Sequence, residues 1–118
     1  MGATPKYGTF TFQGLQSGRV LPVDIYCSDV ADALIRWDGG AGAGAASPDS
    51  FIPTEDLLLL DVAVVTGMAD TTKLQLLRGN QPTGDMLRYD QHLTTSAYRS
   101  PIRVGFVRGT AIRALQKA

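Results

Sequence analysis

The segment FIPTEDLLLLDVAVV, residues 51–65, is the most apolar run of the chain. The run is too short for a membrane-spanning helix, which needs about 20 apolar residues. Leucine favours helices, but the upstream Pro53, the closing Thr66 and Gly67, and the β-branched valines favour a strand. We therefore predict a central strand with two largely apolar faces. One face carries Leu58, Leu60, Val62 and Val64, and the other carries Leu57, Leu59, Asp61, Ala63 and Val65.

Shorter segments in which apolar and polar residues alternate lie on both sides of this run. Alternation with a period of two is typical of half-buried strands. The predicted strands are residues 7–12, 19–28, 33–38, 73–78, 86–90 and 101–108. The last segment, residues 110–116, fits either a strand or a short terminal helix.

Two of these segments allow more detailed predictions. In residues 19–28, Pro22 lacks an N–H and therefore indicates a sheet edge or a bulge. The stretch GNQPTGD, residues 79–85, is rich in turn-forming residues and predicts a connection. The side chains predicted to face inward from residues 19–28 are Leu21, Val23, Ile25 and Cys27.

Seven or eight short strands at roughly ten-residue spacing, with turn signals between them, indicate an all-β protein. We predict an antiparallel β-sandwich that resembles a jelly roll. Residues 7–118 form its single domain, and residues 1–6 form a flexible N-terminal arm. No basic segment followed by an apolar one opens the chain, so we expect synthesis in the cytoplasm without a signal peptide or membrane segment.

The charges of this neutral chain are unevenly distributed. Residues 1–72 carry three cations and nine carboxylates, a net charge of −6, whereas residues 73–118 carry eight cations and two carboxylates, a net charge of +6. This pattern suits a two-signed surface that docks on partners, including copies of itself. Alternatively, strands of the two halves interleave and neutralise each other locally. The neutral total argues against a nucleic-acid partner, although Arg99, Arg103, Arg108 and Arg113 recur near the end.

No catalytic or cofactor-binding constellation is evident. His92 is the only histidine and Cys27 the only cysteine, which excludes a disulfide within the chain and a zinc site built from several such ligands. His92 lies in a polar stretch that reads as a loop, and Cys27 reads as a small buried hydrophobe. We expect no enzymatic activity, no cofactor and no metal.

Three weaker alternatives involve carboxylates and glycines. Calcium could bind Asp24, Asp29, Asp32 and Asp38, because hard oxygen ligands on loops suit this ion. A pair drawn from Asp49, Glu55 and Asp56 could act in glycoside hydrolysis. The loop GGAGAGAASPDS, residues 39–50, has the glycine spacing of a phosphate loop, but no helix is predicted to follow it.

A carbohydrate-binding or host-attachment module is the main alternative to a structural role. Such modules expose aromatic rings that stack on sugars, and the candidates here are Trp37, Tyr26, Tyr89 and Tyr98. The predicted strand register turns Trp37 inward, which favours a core tryptophan.

The chain as a whole resembles the small decoration, or cement, proteins of tailed-bacteriophage capsids. The resemblance is one of format, from YGTFTF through LLLLDVAVV to PIRVGFVRG, with a short N-terminal arm and a glycine-rich loop. It implies a virion protein on the outer capsid surface that clamps neighbouring major capsid subunits. The implied partners are the major capsid protein and the chain itself, as a homodimer or homotrimer, with neither nucleic acid nor membrane. The predicted partner-binding residues are Ala3, Thr4, Pro5, Lys6, Tyr7, Arg99, Arg103 and Arg108.

Overall fold

The computed structural model describes residues 6–38, 42–64, 71, 73–88 and 103–118. These residues form eight strands and confirm the all-β class. The strands are β1 (Lys6–Gly14), β2 (Val20–Cys27), β3 (Arg36–Trp37), β4 (Leu57–Val64), β5 (Lys73–Arg78), β6 (Gln81–Arg88), β7 (Val104–Phe106) and β8 (Ile112–Lys117). The segment at 110–116, for which a helix was the alternative, is therefore a strand.

The strands form two antiparallel sheets that pack against each other. The first sheet has five strands in the order β3-β2-β1-β4-β7, and the second has three in the order β6-β5-β8. The predicted central strand, β4, is internal, with β1 on one side and β7 on the other. The middle of the larger sheet is β1.

The core between the sheets is built around Trp37. Its ring contacts Phe10 edge-on, with the centroids 4.8 Å apart, and stacks on Phe51 at 5.8 Å. Trp37 is fully buried, as predicted from the alternation. The inward positions of β5 and β8, Leu74, Leu76, Ile112 and Ala114, cover the other side.

A β-bulge changes which side chains of β4 face the core. Thr11 pairs with Asp61, but Phe12 pairs with Leu59, so one residue of β4 is left over. A bulge reverses the alternation beyond it. Leu57 and Leu59 are buried before the bulge and Val62 after it, so the uninterrupted alternation predicted for this strand is wrong.

Two further predictions need correction, and one is confirmed. Leu21 is 40% exposed rather than inward, and all of the first three residues of β2 are exposed. Residues 79–85 are not a long connection, since Gly79 and Asn80 alone turn β5 into β6. Gly79 has φ 61°, as a two-residue hairpin of the II′ kind requires at its first position.

Pro22 lies outside the part of β2 that pairs with β3, at the sheet edge as predicted.

Strand β8 also connects the second sheet to the loops of the first. Its free edge bridges to Leu34 through Leu115 and to Phe51 through Ile112. The two halves of the chain contribute mainly to different sheets, so their strands do not interleave. All strands of the second sheet come from residues 73–118, and only β7 of that half joins the first sheet. The charge asymmetry of the sequence therefore persists in the fold.

Candidate docking surfaces

The predicted partner-binding residues that the structure describes do not share one surface. Tyr7 is 54% exposed at the start of β1, where its ring contacts Tyr26 edge-on at 5.5 Å. Arg108 is exposed beyond β7, near the other end of β1, which spans about 25 Å at roughly 3.3 Å per residue. Arg103 is exposed and directly precedes β7. Lys6 begins β1, whereas Ala3, Thr4, Pro5, Arg99, Tyr89, Tyr98 and His92 lie outside the described residues.

Three loops converge at the Arg108 end of the sandwich, and we call this surface the loop end. They are the β1–β2 turn at residues 14–19, the segment 52–56 before β4, and the turn at 107–110 after β7. The amide of Gly109 donates to the carbonyl of Pro53 at 3.0 Å, and that of Leu15 donates to the carbonyl of Asp56 at 2.9 Å. These bonds hold the three loops in a defined arrangement.

Two carboxylates provide most of the side-chain connections at the loop end. Glu55 accepts hydrogen bonds from the amides of Gln16 (3.1 Å) and Ser17 (2.9 Å) and from the Ser17 hydroxyl (2.8 Å). Asp56 accepts from the Arg108 amide at 2.9 Å and from the Gln16 side-chain amide at 3.3 Å. The two acids therefore tie the β1–β2 turn to the segment before β4 and to the turn after β7.

The sequence explains part of this junction. The carboxylate of Glu55 lies so close to Gly14 that a Cβ at this position would displace it, so glycine leaves room for this hydrogen-bonded position of Glu55. Hydrogen bonds from the Ser17 amide and then the Ser17 hydroxyl lower the pKa of Glu55. A general acid in glycoside hydrolysis needs a raised pKa instead. These contacts give Glu55 and Asp56 a structural role in the described residues.

The loop end also carries exposed apolar side chains. Leu15, Val20, Ile52 and Val107 belong to the converging loops and their flanks, and each is between 57% and 62% exposed. The same loops line a depression of about 550 Å³, formed by Gln16, Ser17, Thr54, Glu55, Asp56 and Arg108. Single exposed apolar residues are ordinary, but several in loops that converge on one end of a domain are typical of a protein-binding site. The sequence reasoning identified Arg108 as partner-binding and considered Glu55 and Asp56 only for hydrolysis, because their contacts with the other loops are tertiary.

A second depression, of about 470 Å³, lies beside β3. Tyr26, Arg36, Asp32 and Asp49 line it together with Ser28, Ala33, Leu34 and Ala45. An aromatic ring beside carboxylates and an arginine could contact a sugar. Trp37, by contrast, is fully buried and cannot stack on one. Of the predicted sugar-binding aromatics among the described residues, only Tyr26 lines this depression.

The aspartates considered for calcium have separate partners. Asp29 is buried with φ 60° and accepts hydrogen bonds from the amide and hydroxyl of Thr71, at 3.0 and 2.7 Å. Asp32 pairs with Lys117 at 2.8 Å, and Asp38 accepts from the Gly42 amide at 2.8 Å. Among the part of the chain that the structure describes, no three potential metal ligands cluster. The structure therefore does not bring these carboxylates into one site.

Asp29 belongs to a buried polar network that includes Gln116. The fully buried Gln116 accepts a hydrogen bond from the Asp29 amide at 2.7 Å and donates to the Ser28 hydroxyl and the Ala33 carbonyl. The network joins β8 to the loop between β2 and β3. Nearby Cys27 is buried, and burial followed by the charge of Asp29 raises the pKa of its thiol to about 12. This pKa keeps the thiol protonated at neutral pH and fits the predicted core role.

Comparison with protein-family models, with curated proteins and with solved structures finds no match to this chain. Within the described ranges, no helix has the length and apolar character needed to cross a membrane. The functional argument consequently depends on the surfaces themselves.

Proposed function

We propose that this protein is a structural component of a virus particle, which binds the outer capsid lattice and stabilises it by clamping neighbouring major capsid subunits. The observation that carries the proposal is the loop end, where four apolar side chains of the converging loops and their flanks are more than half exposed. A patch with an apolar part and satisfied polar groups has the composition of a protein–protein interface. In this role the chain needs no catalytic residue and no cofactor.

The rigidity of the loop end supports this proposal. Binding costs less free energy when the contacting loops are already ordered. Here Glu55 and Asp56 connect loops that are distant in sequence, with pairs separated by 38 and 52 positions. The loops that carry Ile52 and Val107 are therefore already ordered before a partner binds, so binding does not have to order them.

A repeated lattice also suits a protein with modest individual contacts. When one molecule contacts two neighbouring subunits, the second contact forms at a high effective concentration, and the combined affinity exceeds that of either site. The residues predicted to contact the partner, including Tyr7 and Arg108, lie at opposite ends of β1, which would permit contact with two subunits. Self-association into a dimer or trimer on the lattice would multiply this effect.

The first experiment is quantitative mass spectrometry of purified particles from the source. We expect this chain in fixed proportion to the coat protein, at hundreds of copies per particle. A few copies would instead indicate a tail or vertex position and favour host attachment. Absence from particles would refute the proposal.

A variant test then addresses the loop end directly. The double substitution Ile52→Ser and Val107→Ser removes exposed apolar area without touching the core, so we expect affinity for particles that lack the protein to fall about tenfold or more. The matched control is Val30→Ser, because Val30 is also 50% exposed but lies between β2 and β3. Equal binding of both variants and the wild type would exclude the loop end as the contact.

The second candidate function is carbohydrate binding at the depression beside β3. The observation that favours it is the grouping of Tyr26, Arg36 and Asp49 around one open space. Screening of a glycan panel with the wild type and Tyr26→Ala would test it. Binding that Tyr26→Ala abolishes would support this function, and an absence of glycan binding by the wild type would remove it.

A further inference from the structure

Cationic residues occupy paired register positions on all three strands of the second sheet. In the strand register, Lys73 of β5 pairs with Lys117 of β8 on one side and with Arg88 of β6 on the other. We call these three positions the cationic row. Like charges directly opposite each other destabilise an antiparallel sheet. Such a row is therefore unfavourable for folding, and a partner that neutralises it would offset that cost.

The second sheet is strongly basic as a unit. Its three strands contain five cations and one aspartate, a net charge of +4, whereas the five strands of the first sheet contain two cations and two aspartates. Lys117 has one local counter-charge, because its Nζ lies 2.8 Å from Asp32. That ion pair lies at one end of the cationic row, and Lys73 stands in the middle.

The side chains around the row distinguish between classes of partner. Leu74 and Leu76 are buried, so Lys73, Gln75 and Leu77 lie on the outer face of β5. The same pattern places Arg113, Leu115 and Lys117 on the outer face of β8. Half-buried leucines between cations suit a protein interface, which combines apolar and charged contacts. A nucleic-acid surface would gain little from these leucines, and the neutral chain lacks the overall positive charge typical of such proteins.

We propose that the outer face of the second sheet binds a protein surface that bears a row of carboxylates. Strands lie about 4.8 Å apart, so the matching carboxylates would span about 10 Å. The cationic row shares no residue with the loop end and would provide the second contact of the clamp. The identification of its partner as a coat protein rests on the proposed function, whereas the acidic chemistry of the partner does not.

The test compares Lys73→Gln with Ala46→Asp, because both substitutions change the net charge by one unit in the same direction. Ala46 is exposed in the loop before β4 and belongs to no strand of the second sheet. We expect Lys73→Gln to weaken binding to particles about three- to tenfold, Ala46→Asp to have little effect, and Lys73→Arg to retain binding. Wild-type affinity should also fall as NaCl rises from about 50 to 500 mM.

A second probe separates failure of this inference from failure of the proposed function. On immobilised polyglutamate, Lys73→Gln should elute at lower salt than Ala46→Asp. If the wild type did not bind particles but this order persisted, the capsid proposal would fail and the acidic-partner inference would remain. Identical behaviour of the two variants on both probes would overturn the inference. Tight binding to duplex DNA that Lys73→Gln abolishes would also overturn it, since the partner would then be a nucleic acid.

Discussion

The loop end and the cationic row use charge in opposite ways. At the loop end, Glu55 and Asp56 are satisfied by amides and hydroxyls of their own chain. In the cationic row, the strand register places Lys73 between two further cations. The first arrangement stabilises a local structure that presents apolar side chains, and the second is expected to reduce the stability of its own sheet. Charge that folding does not require is the stronger indication of a partner.

The largest effect on stability is expected for the buried polar network of Gln116 and Asp29, which lies on the inner face of the second sheet. Gln116 neighbours Lys117 on β8 but points into the buried network with Asp29. Replacing Gln116 with Leu removes three hydrogen bonds and leaves the buried Asp29 amide without its acceptor. We expect the free energy of unfolding to fall by about 2–3 kcal/mol, measured by urea denaturation. The control is Gln75→Leu on the outer face of β5, which should change stability by less than about 0.5 kcal/mol.

If Gln116→Leu lowered the free energy of unfolding as little as this control does, the network would contribute little to stability. The second sheet would then be held mainly by its apolar contacts.

A smaller effect of opposite sign is expected for the cationic row itself. Lys73→Gln removes the charge that lies opposite Lys117 in the register of β5 and β8. We expect the free energy of unfolding to rise by about 0.2–1 kcal/mol at low salt, with a smaller gain at high salt. Urea denaturation of the wild type, Lys73→Gln and Lys73→Arg would measure it. A variant that is less stable than the wild type would contradict the interpretation that the row is costly to folding.

The smallest effect concerns the pH dependence of the loop end. Folding lowers the pKa of Glu55 from its ordinary value of 4.5, so its ionised form stabilises the folded state. That contribution is fully present above about pH 4.5 and is lost as the pH falls through the lower folded-state pKa. We expect Glu55→Gln to reduce the loss of stability in this acidic range, with thermal unfolding at several pH values as the measurement.

The matched control for this substitution is Asp24→Asn. Asp24 is exposed on β2 and accepts a single described side-chain hydrogen bond, from Thr9. A pH profile of Glu55→Gln that coincides with the wild-type profile would indicate that the junction does not depend on the charge of Glu55.

Much of the fold could be predicted because alternation is a local property of the chain. Residues such as Phe10, Phe12 and Leu74 are buried where the alternation predicts them to be. The bulge in β4 could not be predicted in this way, since it arises from pairing with β1 rather than from the apolar run. The loop end was missed for the same reason. Its members lie in separate loops, and the hydrogen bonds from Ser17 to Glu55 and from Arg108 to Asp56 have no signature in the local sequence.

The sequence by itself determined the all-β class, the positions of most strands, the buried Trp37 and the separation of charge between the two halves. These features depend on the pattern of neighbouring residues or on simple counting. Only the tertiary structure decided that the basic half forms its own sheet and that Lys73 faces Lys117 and Arg88. The physical reason is that strand register is set by turns, bulges and packing across the whole domain, so residues far apart in the chain become neighbours only when both sheets have formed.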